Sequence, residues 1–236
     1  MHTAVTIFGL PLTIRESIVS NLLTEDRWKM MLDGLGVTLQ VSLLSIFFAT
    51  LAGALICILR MSRSKIISGT AKLYIELMRS LPLLLLLLVM FYLVLASSGM
   101  SDVQIAAVCF SMYFGAYFSE VFRSGIEGID KGQWEAGAAL GMNRKLILRK
   151  IVLPQALLRV LPVYKNQMVS LIKSTSIIGY VAIMDITKAS DVIRSRTFDA
   201  FFPLFLTAII YLLLSWLFGL AVDMLEKGIT PKHREL

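Results

Sequence analysis

The chain has 236 residues, 57% of them hydrophobic and only 17% charged, with a mean hydropathy of +0.76. Such a composition excludes a soluble globular domain, which would expose large apolar patches, and points to an all-α membrane protein of several spans. The net charge of +7 does not argue for a nucleic-acid partner, because the charges fall between the apolar runs and are read first as topology.

Residues 1–33 are mixed in character. No lysine/arginine cluster precedes an apolar core, so the segment is not read as a cleaved signal. Ile14, Ile18, Leu22 and Leu23 fall at helical spacing and predict an amphipathic surface helix.

The first predicted span is 36–59, "GVTLQVSLLSIFFATLAGALICIL". It carries no charge and is long enough to cross a bilayer. Its Thr38, Gln40, Ser42, Ser45 and Thr50 predict packing against protein as well as lipid. The second runs over about 73–96. Glu76 and Arg79 lie at its mouth, and Pro82 is expected to kink it or to mark its firm start. In the third, 103–122, Ser111, Gly115, Ala116 and Ser119 alternate with aromatics, which predicts close helix packing. The fourth, 161–184, is interrupted by Lys165, Asn166, Gln167 and Lys173–Ser176. The fifth, 200–225, is apolar almost throughout.

Five spans put the two ends on opposite sides. The basic segments 60–72, 123–160 and the C-terminal tail fall on one side, so the positive-inside rule predicts N-terminus out and C-terminus in. The expected division is 1–31 as an extracytoplasmic or interfacial segment, 32–227 as the membrane domain and 228–236 as a cytoplasmic tail. Cys57 and Cys109 sit in apolar runs and read as packing residues. His2 and His233 are both near the termini, so no histidine metal site is expected.

The segment 134–154, "WEAGAALGMNRKLILRKIVLP", is too ordered for a mere connector. A short helix is predicted to end at Gly141 on a glycine C-cap. Ala136, Gly137, Ala138 and Ala139 leave it a nearly side-chain-free surface. An amphipathic basic stretch follows, and Pro154 opens the next helix. From the residues alone this is a docking element for a partner on the cytoplasmic side, or a basic helix lying on anionic headgroups.

The spacing Glu135-Ala136-Gly137, Gly141, Ile151, Leu153, Pro154 resembles the signature of ABC importer permeases. Gly137 stands where alanine is usual. "YIELMRSLPLL", "FGAYFSEVFRSGIEGIDKGQWEA" and "LIKSTSIIGYVAIMDIT" extend the likeness, over about 32–227, to the polar amino acid subfamily of type I permeases.

The resemblance implies a coupling helix between spans three and four, formed by Glu135, Ala136, Gly137, Ala138, Gly141, Ile151, Leu153 and Pro154, seated on a separate ATPase. It also implies two ATP-binding subunits that use ATP-Mg, a second permease chain and an extracytoplasmic binding protein. A prokaryotic plasma membrane is the implied location. The chain has no P-loop, so ATP hydrolysis is not expected of it.

Glu76, Arg79, Lys173, Ser174, Thr175 and Ser176 are the candidates for a substrate path or gate, because intramembrane polar groups are costly. Local pairing of Glu76 with Arg79 is the plainer reading of that pair. Pairing is also expected of Glu120 with Arg123. The subfamily usually has aspartate where Ser174 stands, and serine leans away from strongly cationic cargo. An opine, cystine or another small nutrient is the alternative cargo. A secondary transporter working without ATP, or a membrane scaffold, is the alternative class.

Overall fold

The computed structural model describes residues 5–7, 10–12 and 14–229, with the side chains of 16–224. The C-terminal residues of the expected tail, 230–236, lie outside the described residues, as does the side chain of Ile14. Apart from a hairpin of two three-residue strands, β1 (Val5–Ile7) and β2 (Leu10–Leu12), paired antiparallel, the described chain is helical.

The helices are α1 (Ile14–Ile18), α2 (Arg27–Arg60), α3 (Lys65–Ser80), α4 (Leu83–Val89), α5 (Asp102–Glu127), α6 (Lys131–Ala139), α7 (Arg144–Ile147), α8 (Leu153–Ser174), α9 (Ile186–Thr197) and α10 (Phe201–Ile229). Among the described residues, three stretches are long and apolar enough to cross a membrane: Glu16–Arg60, Asp102–Glu127 and Phe201–Met224. A fourth is added if the pair Lys65–Ser80 and Leu83–Val94, bent by 104°, is one span. The bend has a local cause. Leu81 precedes Pro82 and is held extended (φ −85°, ψ 139°), because the proline ring disfavours the helical region there.

The predicted fourth span is not in that set. Leu153–Ser174 is a continuous but amphipathic helix, and at Thr175–Val181 it tightens into a 3-10 turn that ends on Ala182 at φ 61°. Lys173 and the three hydroxyl residues stand at that change of helix type.

The chain divides into two compact units. The first comprises the described residues up to 44, with 87–107 and 172–216. Its core is Met31 of α2 against Ile186, Ala189 and Ile193 of α9. The two backbones run so close that a Cβ on Gly34 would lie 2.7 Å from the Asp185 carbonyl oxygen. Beside that contact the Thr38 hydroxyl accepts from the Ile186 N–H at 3.2 Å and donates to the Gly34 carbonyl at 2.9 Å. Asp185 caps α9, accepting from the Lys188 N–H at 2.8 Å. Its burial pushes the carboxyl above the ordinary carboxylate range.

The predicted amphipathic helix near the N-terminus is realised differently. After α1 the chain widens into a π-turn, Val19–Leu23, and the residue it buries is Asn21. Ile18 and Leu23 stay exposed while Leu22 packs on the α9 core. The buried amide is fully used: Asn21 donates to Asp199 at 2.7 Å and to the Ser17 carbonyl at 2.9 Å, and accepts from Thr197 at 2.9 Å. A buried amide is tolerated only when satisfied in this way.

The second unit comprises 45–86, 108–171 and, of the described residues, 217–229. Here the small residues of α5 meet the expectation of close packing. A Cβ on Gly53 of α2 would lie 2.7 Å from the Phe118 Cβ, and one on Gly115 would lie 3.2 Å from the Ala52 Cβ. Phe110, Phe114, Phe118 and Phe122 stack along α5, and Tyr164 of α8 meets Phe118 edge-on at 4.9 Å. Tyr164 also shares a hydrogen bond with Thr50. Lys165 forms a two-oxygen ion pair with Asp223 of α10, 2.6 Å to each, over a glycine gap at Gly219.

Candidate functional site

Residues 131–154 lie within the second unit and form a helix–turn–helix in which both ends of α6 and the start of α7 are capped, and α7 runs on through a π-turn into α8. The Asp130 carboxylate accepts from the Gly132 N–H and starts α6. At the other end Gly141 takes φ +76°, a conformation glycine adopts freely. The Gly141 N–H then bonds the Ala138 carbonyl at 2.9 Å, and the Met142 N–H bonds the Gly137 carbonyl at 3.1 Å. Those two bonds are a complete Schellman closure. Asn143 caps α7, accepting from the Leu146 N–H at 2.9 Å.

The turn is packed as well as capped. Gly137 is buried, and a Cβ there would lie 2.8 Å from Ile147 Cγ1 and 3.1 Å from Ile151 Cδ1. The missing methyl therefore serves the inside of the turn. The exposed face consists of Glu135, Ala136, Ala138, Ala139 and Leu140, which is 80% exposed. So the four small residues expected to share one outer surface divide into three outside and one inside.

Arg144 lies over the Trp134 ring at 5.7 Å. Gln155 at the start of α8 bonds Gln133 at 3.2 Å, and Arg159 donates to the Gly128 carbonyl. Leu153 is half-buried and Pro154 exposed. Through these contacts α6 is tied to the first turns of α8 without an intervening loose loop.

The path candidates divide between the units. In the second unit, Glu76 does not pair with Arg79. It pairs with Lys72 at 3.6 Å, one turn earlier and in the open. Arg79 instead stacks over the Tyr117 ring at 5.3 Å, and makes no ion pair among the described residues. The Tyr117 hydroxyl meets that of Tyr113 at 3.2 Å. The three make a cation–aromatic cluster that spacing along one helix did not reveal. Glu120 and Arg123 do pair, at 2.8 and 3.0 Å, and Arg123 also reaches Glu127.

In the first unit, Lys173 is exposed and makes no ion pair among the described residues. Thr175 is fully buried, its hydroxyl donating to the Ile172 carbonyl at 2.7 Å. No group of three or more His, Cys, Asp or Glu residues is arranged to hold a metal among the described residues.

Residues 42–231 match the family model described as "binding-protein-dependent transport system inner membrane component". A Rickettsia felis protein described as a glutamine transport system permease is 33% identical over 83% of this chain and 90% of its own length. The L-cystine transport system permease protein of Bacillus subtilis is 30% identical over 92% of this chain and 94% of its own. Among solved structures, an amino acid ABC transporter crystallised with histidines superposes with a TM-score of 0.78 at 30% identity, over 87% of this chain and 97% of that one. The inward-facing MetNI methionine ABC transporter superposes with a TM-score of 0.74 over 86% and 98%, at 20% identity, a likeness of fold alone.

Proposed function

The chain belongs to the binding-protein-dependent transport system inner membrane component family, and on that premise we propose that it is the permease of an ATP-driven importer of polar amino acids, coupled to a separate ATPase through residues 134–154. It is a multi-pass membrane permease of an ABC transporter, and its relatives are transport permeases, not enzymes. The cargo reading draws on the glutamine, cystine and amino acid systems that this chain is similar to.

The coupling reading rests on one observation: in the helix–turn–helix 131–154 the starts of α6 and α7 are capped, α6 is closed by Gly141 and packed at Gly137, while Glu135, Ala136, Ala138 and Ala139 face outward. A surface of that kind admits a partner's backbone closely. Because α6 is pinned to α7 and to the start of α8, a push on α6 is passed on as a rigid displacement. Gly141, Ile151, Leu153 and Pro154 hold the turn that passes it.

In this reading two ATP-binding subunits, using ATP-Mg, dock on two permease chains, and an extracytoplasmic binding protein delivers cargo. The topology is five spans with the N-terminus out and the C-terminus in, supported by the basic character of 60–72 and 123–160. Residues 32–227 are the transport domain, 1–31 an outer or interfacial segment and 228–236 a cytoplasmic tail. Alternating access then works around a mid-membrane path. Arg79 is the candidate to meet an α-carboxylate, and Lys173–Ser176, where α8 tightens, is the candidate gate.

The test is affinity capture of the tagged chain in mild detergent from cells that make its ATPase. Recovery of ATPase with the native chain and its loss with Gly141→Val supports the reading. Recovery of the chain alone in both cases overturns it in favour of an ATP-independent transporter.

A further inference from the structure

We propose that the second unit carries a binding site for one anionic phospholipid, at the junction of the end of α2 with the turn between α6 and α8. A cavity of about 770 Å³ opens there. That lies within the range of about 300–1,000 Å³ typical of small-ligand clefts. Its wall is apolar, built from Cys57 and Ile58 of α2, Phe122 and Ile126 of α5, and Leu157 and Val160 of α8. Ile58 and Leu157 are 68% and 54% exposed, so one side of the wall is open, while Cys57 and Val160 are buried at its back.

The rim has the opposite character. Arg63, Arg144 and Lys145 line it, and among the described residues no acidic residue does. None of these three cations makes an ion pair among the described residues. The carboxylates of Glu120 and Glu127 are both engaged by Arg123. Arg144 is held over Trp134, which also lines the cavity, so its guanidinium is oriented while its charge stays unneutralised.

An apolar volume under an unpaired cationic rim matches an amphiphile with an anionic head. An acyl chain fills the wall, and a phosphate meets guanidinium groups that bind it as a planar fork. Basic pockets among membrane helices and interfacial tryptophan suit the same ligand. A free inorganic anion would satisfy the rim and leave the apolar wall wet. Arg63 lies three residues beyond the end of α2, whereas Arg144 and Lys145 open α7. A single headgroup would therefore clamp the helix–turn–helix to α2. This inference is independent of cargo and of which ATPase docks.

The experiment uses Trp134 as reporter. Trp28→Phe and Trp216→Phe leave it the only tryptophan of three. The permease, assembled with its ATPase, is placed in phosphatidylcholine nanodiscs, and brominated phosphatidylglycerol or brominated phosphatidylcholine is titrated in. The expected result is quenching by the anionic lipid at a mole fraction lower by about fivefold for each rim cation engaged. Arg63→Glu, outside the segment 134–154, should abolish that preference by reversing a rim charge. Ala54→Phe should abolish it by filling the wall with the charge intact. Recovery with the ATPase shows that each variant is folded. Equal quenching by the two lipids overturns the proposal, as does a preference that survives in both variants. Absence of quenching in an intact complex also overturns it and assigns the cavity to a protein neighbour. Displacement of the lipid by soluble glycerol phosphate would mean that the headgroup alone is bound.

Discussion

Gly137 faces Ile147 so closely that a methyl group on the glycine would come within 2.8 Å of the isoleucine Cγ1. That contact sets how closely α6 lies on α7. Here a branched side chain already fills the space that a methyl group would take.

Gly137→Ala should therefore destabilise the segment by about 1–3 kcal/mol, the usual cost of overpacking. Ile147→Ala alone should also destabilise, through the cavity it leaves. Combined, the new methyl enters the vacated space, and the double variant should fall short of the sum of the two by about 0.5–3 kcal/mol. Unfolding midpoints of the four proteins in one detergent check this. Strict additivity would mean that the two residues do not touch.

Gly141 poses a different constraint. Nothing lies within 4 Å of a Cβ built there, yet φ is +76°. The cost of substitution is conformational, about 1–2 kcal/mol for an ordinary residue in the left-handed region. Gly141→Asn should keep ATPase capture and transport nearly intact, since asparagine tolerates that region. Gly141→Val should lose both. Equal loss in both variants would point to a partner pressed against the glycine instead.

Lys165 and Asp223 stand within the fourth and fifth predicted spans, with side chains 28% and 39% exposed. Removing one partner leaves a charge unpaired near lipid, which is worse than removing both. Lys165→Met or Asp223→Leu should each lower yield and melting temperature. The double variant should recover most of the loss, and the exchange Lys165→Asp with Asp223→Lys part of it. Melting curves in detergent decide. No recovery in the double variant would show that the pair does not act as a unit.

Arg79 over Tyr117 is the sharpest test of the substrate path. Arg79→Gln should raise the KM for uptake by about tenfold or more if the guanidinium meets a carboxylate, the usual scale of a lost charged hydrogen bond. ATPase capture should not change. Arg79→Lys should recover part of the affinity, and Tyr117→Phe should keep the cation over the ring. An unchanged KM for Arg79→Gln, with transport otherwise intact, would leave the cluster a packing feature.

What could be read directly from the chain was whatever acts within a few residues. The apolar runs set the membrane class. The helix end at Gly141 and the break at Pro82 were legible because glycine and proline act on their own backbone and their immediate neighbours. The pairing of Glu120 with Arg123 was legible because three residues are less than one helical turn. The same rule did not decide for Glu76, which has Lys72 one turn earlier on its own helix as well as Arg79 within reach, and it pairs with Lys72. Nor can the rule register a neighbouring helix, whose Tyr117 lies under Arg79.

Tertiary structure decided the rest. Lys165 meets Asp223 across 58 residues of sequence, and Asn21 meets Asp199 across 178. Gly137 turned inward, although its neighbours Ala136 and Ala138 look outward. The contact of Tyr164 with Phe118, the cavity under Arg63 and Arg144, and the two units themselves depend on which helices lie side by side. That choice is made by packing summed over many weak contacts, and no single residue type carries it.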